Sequence, residues 1–116
     1  MVVGVCSITL ALPGVDSLKG KRSIVKRLLE RSRNRFNVAV AEVGELDSKR
    51  RAVLGLAVVS NDGRHANAML DRITAFIAGA SEAVISGRKI ELIPLSEDFG
   101  TDRPLLDFDQ LKYFEP

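Results

Sequence analysis

Apolar β-branched runs and amphipathic helical stripes follow one another along this chain in a definite order, and that order limits the folds open to it. Residues 2–12 (VVGVCSITLAL) are β-branched and end at Pro13-Gly14, which predicts a strand and then a turn. Ser17 stands where an N-cap belongs, ahead of a stripe formed by Leu18, Val25, Leu28, Leu29 and Ser32 with Ile24 beside it. That helix is expected to end between Asn34 and Phe36. Residues 37–43 (NVAVAEV) and 51–60 (RAVLGLAVVS) read as two strands joined by the polar segment 44–50, a length that suits a hairpin with a long loop. Asn61 or Asp62 can cap a second helix. Its period is the cleanest in the chain: Ala66, Met69, Leu70, Ile73, Phe76, Ile77 and Ala80. Gly79 and Gly87 punctuate its exit, and residues 88–95 (RKIELIPL) make the last strand, with Pro94 placing it at a sheet edge.

The order β-α-β-β-α-β predicts an α+β, ferredoxin-like split βαβ fold: a four-stranded antiparallel sheet with two helices on one face. In that topology the first and third strands are central. The face without helices should alternate apolar and polar residues if it meets water, yet the third strand is apolar on both sides. Something is therefore expected to cover it. Residues 1–96 are assigned to the ferredoxin-like domain and 97–116 to an aromatic-rich tail packing on the sheet or on a second subunit. Residues 96–116 hold four of the six aromatics, Phe99, Phe108, Tyr113 and Phe114. Dimerisation through the open face, a homodimer, is the structural expectation.

Length and composition set the remaining bounds. The chain's 116 residues make one domain, and 46% hydrophobic with 28% charged residues excludes a disordered or fibrous chain. No apolar run nears the ~20 residues that span a bilayer. The N-terminal apolar stretch lacks the basic region and cleavage site of a signal peptide. Cys6 is the single cysteine, so no intrachain disulfide or cysteine zinc cluster is expected, and a reducing cytoplasm is the natural setting. His65, the single histidine, falls at the start of the second helix, where histidine is ordinarily solvated rather than catalytic. Glu42, Glu45 and Asp47 cluster near the hairpin without the fixed spacing of a metal site. Phosphate-cradling and dinucleotide glycine patterns are missing. The expectation is a non-enzymatic protein with no cofactor and no metal.

Charge is the strongest functional signal. Residues 1–58 hold 11 basic and 5 acidic side chains, whereas residues 59–116 hold 6 and 10. Between Ser17 and Arg35 there are eight basic residues against the single acid Glu30. On a helical wheel Lys19, Arg22, Lys26 and Arg33 share a sector of about 60°, and Arg27, Arg31 and Arg35 form a second row. The helix start adds unpaired N–H groups near Ser17, Lys19 and Lys21. Lys49, Arg50 and Arg51 extend the patch at the hairpin. Same-sign crowding costs a helix stability, which favours a functional reading. The anion- or nucleic-acid-binding candidates are thus Ser17, Lys19, Lys21, Arg22, Lys26, Arg33, Lys49 and Arg50. Neither central strand carries the aromatics of an RNA-stacking sheet, so binding would be to backbone phosphates and salt-sensitive.

The string SLKGKR after LPG, followed by RFNVAVAEV and RAVLGLAVVSND, resembles the YlxP-like family of small bacterial proteins of unknown function. The resemblance implies a ferredoxin-like fold. The family's genes commonly lie near those for a ribosome-binding factor and a translation initiation factor, which implies a link to ribosome assembly or translation. Ser17, Lys19, Lys21 and Arg22 lie in the matching segment, with no role attached. Where the family often carries an aromatic and a glutamine after Asp47, this chain has Ser48-Lys49-Arg50. Three readings result: an RNA- or ribosome-associated factor gripping phosphates through its first helix, a dimeric protein-interaction module docking a partner through the open sheet face and the tail, or a regulatory domain binding a small anion at Ser17 to Arg22.

Overall fold

Periodicity dictates which strand residues face the helices, and the register makes those choices agree across the sheet. The computed structural model describes residues 1–80 and 83–96. Its elements run β1 (Val2–Ala11), α1 (Leu18–Arg35), β2 (Ala39–Gly44), β3 (Arg51–Ser60), α2 (Gly63–Gly79) and β4 (Val84–Pro94). The sheet order is β2-β3-β1-β4 with every neighbouring pair antiparallel, the split βαβ arrangement. Val40, Leu56, Cys6 and Ile90 form one row across all four strands. Side chains alternate from face to face along a strand. Cys6, Ile8 and Leu10 therefore bury on the same side as Ala52, Leu54, Leu56 and Val58.

Both helices cover that side, α1 over β2 and α2 over β1, β3 and β4. From α2 come Ala66, Leu70, Ile73 and Ile77, all fully buried, and from α1 Val25 and Leu28. Gly4 explains how closely α2 can sit. A Cβ there would stand 3.0 Å from Leu70 Cδ1 and 3.1 Å from Val58 Cγ2, so even a methyl would oblige both side chains to shift by a few tenths of an ångström.

Ser17 caps α1 by accepting from the Gly20 N–H at 3.0 Å, and Asp62 caps α2 by accepting from the Arg64 N–H at 3.0 Å. Edge strands differ most from expectation. β4 begins at Val84 rather than Arg88, and Gly87 pairs with Thr9 inside the strand instead of closing the helix exit. A register shift between Thr9 and Leu10 accommodates the irregularity, the setting in which an edge strand tolerates glycine. Pro94 ends edge strand β4, where its missing N–H is harmless. Among the described residues no helix is long and apolar enough to cross a membrane. The expected packing of residues 97–116 lies outside the described residues.

Candidate functional site

α1 presents two kinds of cation. Its buried residues are Lys21, Val25, Leu28 and Ser32, spaced four, three and four apart, so Lys21 belongs to the inward stripe. Its side chain is fully buried. Nζ donates to Glu42 Oε2 at 2.9 Å, to the Glu45 carbonyl at 2.8 Å, and to the Leu46 and Arg51 carbonyls at 3.3 Å each. Glu42 follows buried Val40 by two residues on β2, which turns its carboxylate toward the same layer. Lys21 is thus corrected from a phosphate ligand to an internal post. Its charge is neutralised by Glu42, and no side chain reaches solvent from that position.

The post organises the hairpin loop. Glu45 has a φ of 57°, the left-handed region that costs a residue with a side chain, and its carbonyl receives both Lys21 Nζ and the Ser48 N–H. The Leu12 N–H donates to the Arg50 carbonyl at 2.8 Å, and Arg50 Nε donates to the Val15 carbonyl at 3.2 Å. These bonds seat the loop 45–50 against the entry to α1, which brings Lys49 and Arg50 to the end of the helix that carries Ser17 and Lys19.

The remaining candidates divide by what already holds them. Ser17 Oγ is the helix cap. Arg33 Nη2 donates to the Val40 carbonyl at 2.8 Å. Arg50 Nη2 lies 3.8 Å from Asp16, both largely exposed. Lys19, Arg22, Lys26 and Lys49 are exposed, and among the described residues none of the four has an ion-pair or hydrogen-bond partner. Two members of the second arginine row are employed in packing, while Arg27 stays exposed. Arg31 donates to the Ala80 carbonyl, and the Arg35 guanidinium lies 5.1 Å from the centre of the Phe76 ring and 5.7 Å from that of Phe36. That row faces α2, so the ridge Lys19–Arg22–Lys26 looks away from it.

Nucleophile chemistry finds little support here. His65 Nδ1 lies 3.0 Å from Ser60 Oγ, which also accepts from the Asp62 N–H. Both side chains dress the exposed start of α2, and among the described residues no carboxylate orients the ring. Cys6 is buried in β1, and burial pushes its thiol above the ordinary value against the opposing pull of the Arg88 guanidinium. Arg88 is itself held by Asp71 of α2 at 2.6 Å.

A family profile described as "Protein of unknown function (DUF503)" matches residues 3–89. The "Uncharacterized protein YlxP" of Bacillus subtilis (strain 168) is 36% identical over 76 residues, which cover 66% of this chain and 83% of that protein. Among solved structures, the de novo designed protein Foldit4 superposes with a TM-score of 0.48 at 14% identity, covering 83% of this chain and 100% of that one. A C-terminal segment of the alpha subunit of aIF2 from Pyrococcus abyssi gives 0.45 at 16% identity, covering 83% of this chain and 52% of that one.

Proposed function

This chain belongs to the DUF503 family of proteins of unknown function, and from that premise we propose a non-enzymatic, cytoplasmic role in which it grips RNA backbone phosphates, on the ribosome or a ribosomal precursor. The observation that carries the proposal is the set of four exposed cations on the outer ridge of α1 and the loop docked at its start, Lys19, Arg22, Lys26 and Lys49, with no carboxylate partner among the described residues. Lys21, Arg33 and Arg88 are each taken up by an acceptor of the chain, whereas Lys89 and several arginines stay exposed without one, so it is the gathering of these four, rather than their lack of partners alone, that counts. Four that find none, gathered on one ridge and one docked loop, make a positive surface for a polyanion. Arg50 flanks it beside Asp16, and Ser17 contributes the cap that fixes where the helix begins.

Phosphate contact of this kind positions a protein on RNA without reading bases. The test is fluorescence anisotropy of a labelled single-stranded RNA with the full chain and with Lys19→Ala/Arg22→Ala/Lys26→Ala. Each phosphate contact on a single strand contributes about 0.7 to the slope of log affinity against log salt, so losing three weakens binding about a hundredfold at ~0.1 M salt. The far-ultraviolet circular dichroism should stay unchanged. Equal affinity of the two proteins would remove the proposal.

A further inference from the structure

The sheet face away from the helices is independent of the cationic ridge. Val3, Val5, Ser7 and Thr9 of β1 share it with Val53, Gly55, Ala57 and Val59 of β3, and Val59 is 61% exposed. A shallow groove of about 560 Å³ runs over Val5, Ser7, Gly55 and Ala57 and is bounded on β4 by Lys89 and Glu91. The centre is kept low by small side chains. A Cβ on Gly55 would come within 2.9 Å of Val43 Cγ1. Lys89 and Glu91 are exposed and unpaired among the described residues.

The geometry points to a second copy of this chain as the occupant, packed face to face about a two-fold axis that runs across the strands along the row Val40–Leu56–Cys6–Ile90. Such an axis reverses strand direction and lays each strand over its own counterpart. Residue rows equidistant from the axis then meet. Glu91 pairs with Val5 and Lys89 with Ser7, one row to either side, so each Glu91 faces the partner's Lys89 and each Lys89 the partner's Glu91. One row further out, Ile93, which pairs with Val3, faces the partner's Gly87, which pairs with Thr9. Opposite charges meet, and a large side chain meets the residue with none. A self-contacting surface must be complementary to itself, and along β4 this one is in both charge and size, while on β3 Val59 meets the partner's Val53 as an apolar contact.

Area agrees with that occupant. Four strands of 10, 6, 10 and 11 residues, at about 4.8 Å spacing and about 3.3 Å per residue, give roughly 600 Å² per copy. The pair would bury roughly 1,200 Å², the lower end for a specific interface. Alanine and glycine keep the rows beside the axis low, and Val59 with the partner's Val53 fills the flank at the ~10 Å usual for stacked sheets.

Sedimentation velocity of the full chain at micromolar concentration tests this. The unmodified protein should sediment as a dimer. Lys89→Glu and Glu91→Lys should each sediment as monomers, because like charges then face one another. The double variant Lys89→Glu/Glu91→Lys should be a dimer again, a rescue that misfolding of either single variant could not produce. Dimers that survive both single reversals overturn the proposed register. An unmodified chain that is monomeric overturns the second copy altogether. In that event an Ala57→Cys variant labelled slowly by a maleimide assigns the face to residues 97–116 of the same chain.

Discussion

Lys19 and Lys21 stand two residues apart on α1 and occupy opposite environments. Lys21 is sealed beneath the helix with Glu42 and three carbonyl oxygens, whereas Lys19 is exposed and holds no partner among the described residues. Residue type is the same, so helical phase and the position of one carboxylate decide the outcome. A buried ammonium costs several kcal/mol of desolvation and persists only when every proton is accepted. Four acceptors within 3.3 Å meet that demand. An exposed ammonium needs none of this, and its charge stays available to something outside the chain. The inward lysine thus helps tie the hairpin loop, and with it Lys49, to the helix that carries the other outward cations.

The largest effect expected from breaking this contrast comes from Lys21→Met. It leaves Glu42 without its counter-charge and takes the ammonium from three carbonyls, of which Glu45 keeps the Ser48 N–H, and should cost about 3–5 kcal/mol of stability. At roughly 4 °C per kcal/mol for a chain of this size, thermal unfolding followed by circular dichroism should move down by roughly 12–20 °C. Adding Glu42→Leu should restore most of the loss, because an apolar pair of similar volume no longer strands a charge. A loss near zero for the single variant would mean that water reaches Nζ.

Glu42→Gln sharpens the contrast at a smaller scale. The amide keeps an oxygen for Lys21 and removes only the charge, so chemical denaturation should report about 1–3 kcal/mol, less than for Lys21→Met. Outward substitutions should behave in the opposite manner. Arg22→Ala and Lys26→Ala should each change stability by no more than about 0.5 kcal/mol. RNA affinity should fall about fivefold for each at ~0.1 M salt. A stability change equal to that of the inward variants would make the two sides of α1 alike.

The smallest effect belongs to Cys6, remote from both groups of cations. Its thiol is raised by burial, so a thiol reagent should label the folded chain more slowly than the unfolded one near neutral pH. A folded value above the unfolded one means the associated stability is complete below the unfolded value, ordinarily near 9.0, and is lost as pH rises through the folded value. Alkaline titration of the unfolding free energy checks the sign.

The elements that rest on local physics were legible in the sequence. Ser17 before a helical stripe, Asp62 before the other, and Pro13-Gly14 after a β-branched run each declare themselves within a few residues, and β3 occupies Arg51–Ser60 as its composition suggests. The start of β4 was not legible, because Val84–Gly87 are strand only by pairing with β1 across an irregularity. Lys21 was missed for a chemical reason. A lysine is ordinarily counted with the polar face, yet its spacing to Val25, Leu28 and Ser32 is that of a core position. The companion signal was Glu42, two residues after Val40 on a strand whose alternate residues turn inward. Arg31 and Arg35 show the converse. Their row on the wheel was visible, but contact with the Ala80 carbonyl and the Phe76 ring depends on where α2 lies.

The salt dependence of RNA binding bears most directly on the outward cations as a phosphate surface. Four contacts predict that log affinity falls against log salt with a slope of about −3, and that Lys19→Ala/Arg22→Ala/Lys26→Ala flattens it to about −1. A slope near zero for the unmodified chain, or the same slope in both proteins, would contradict it.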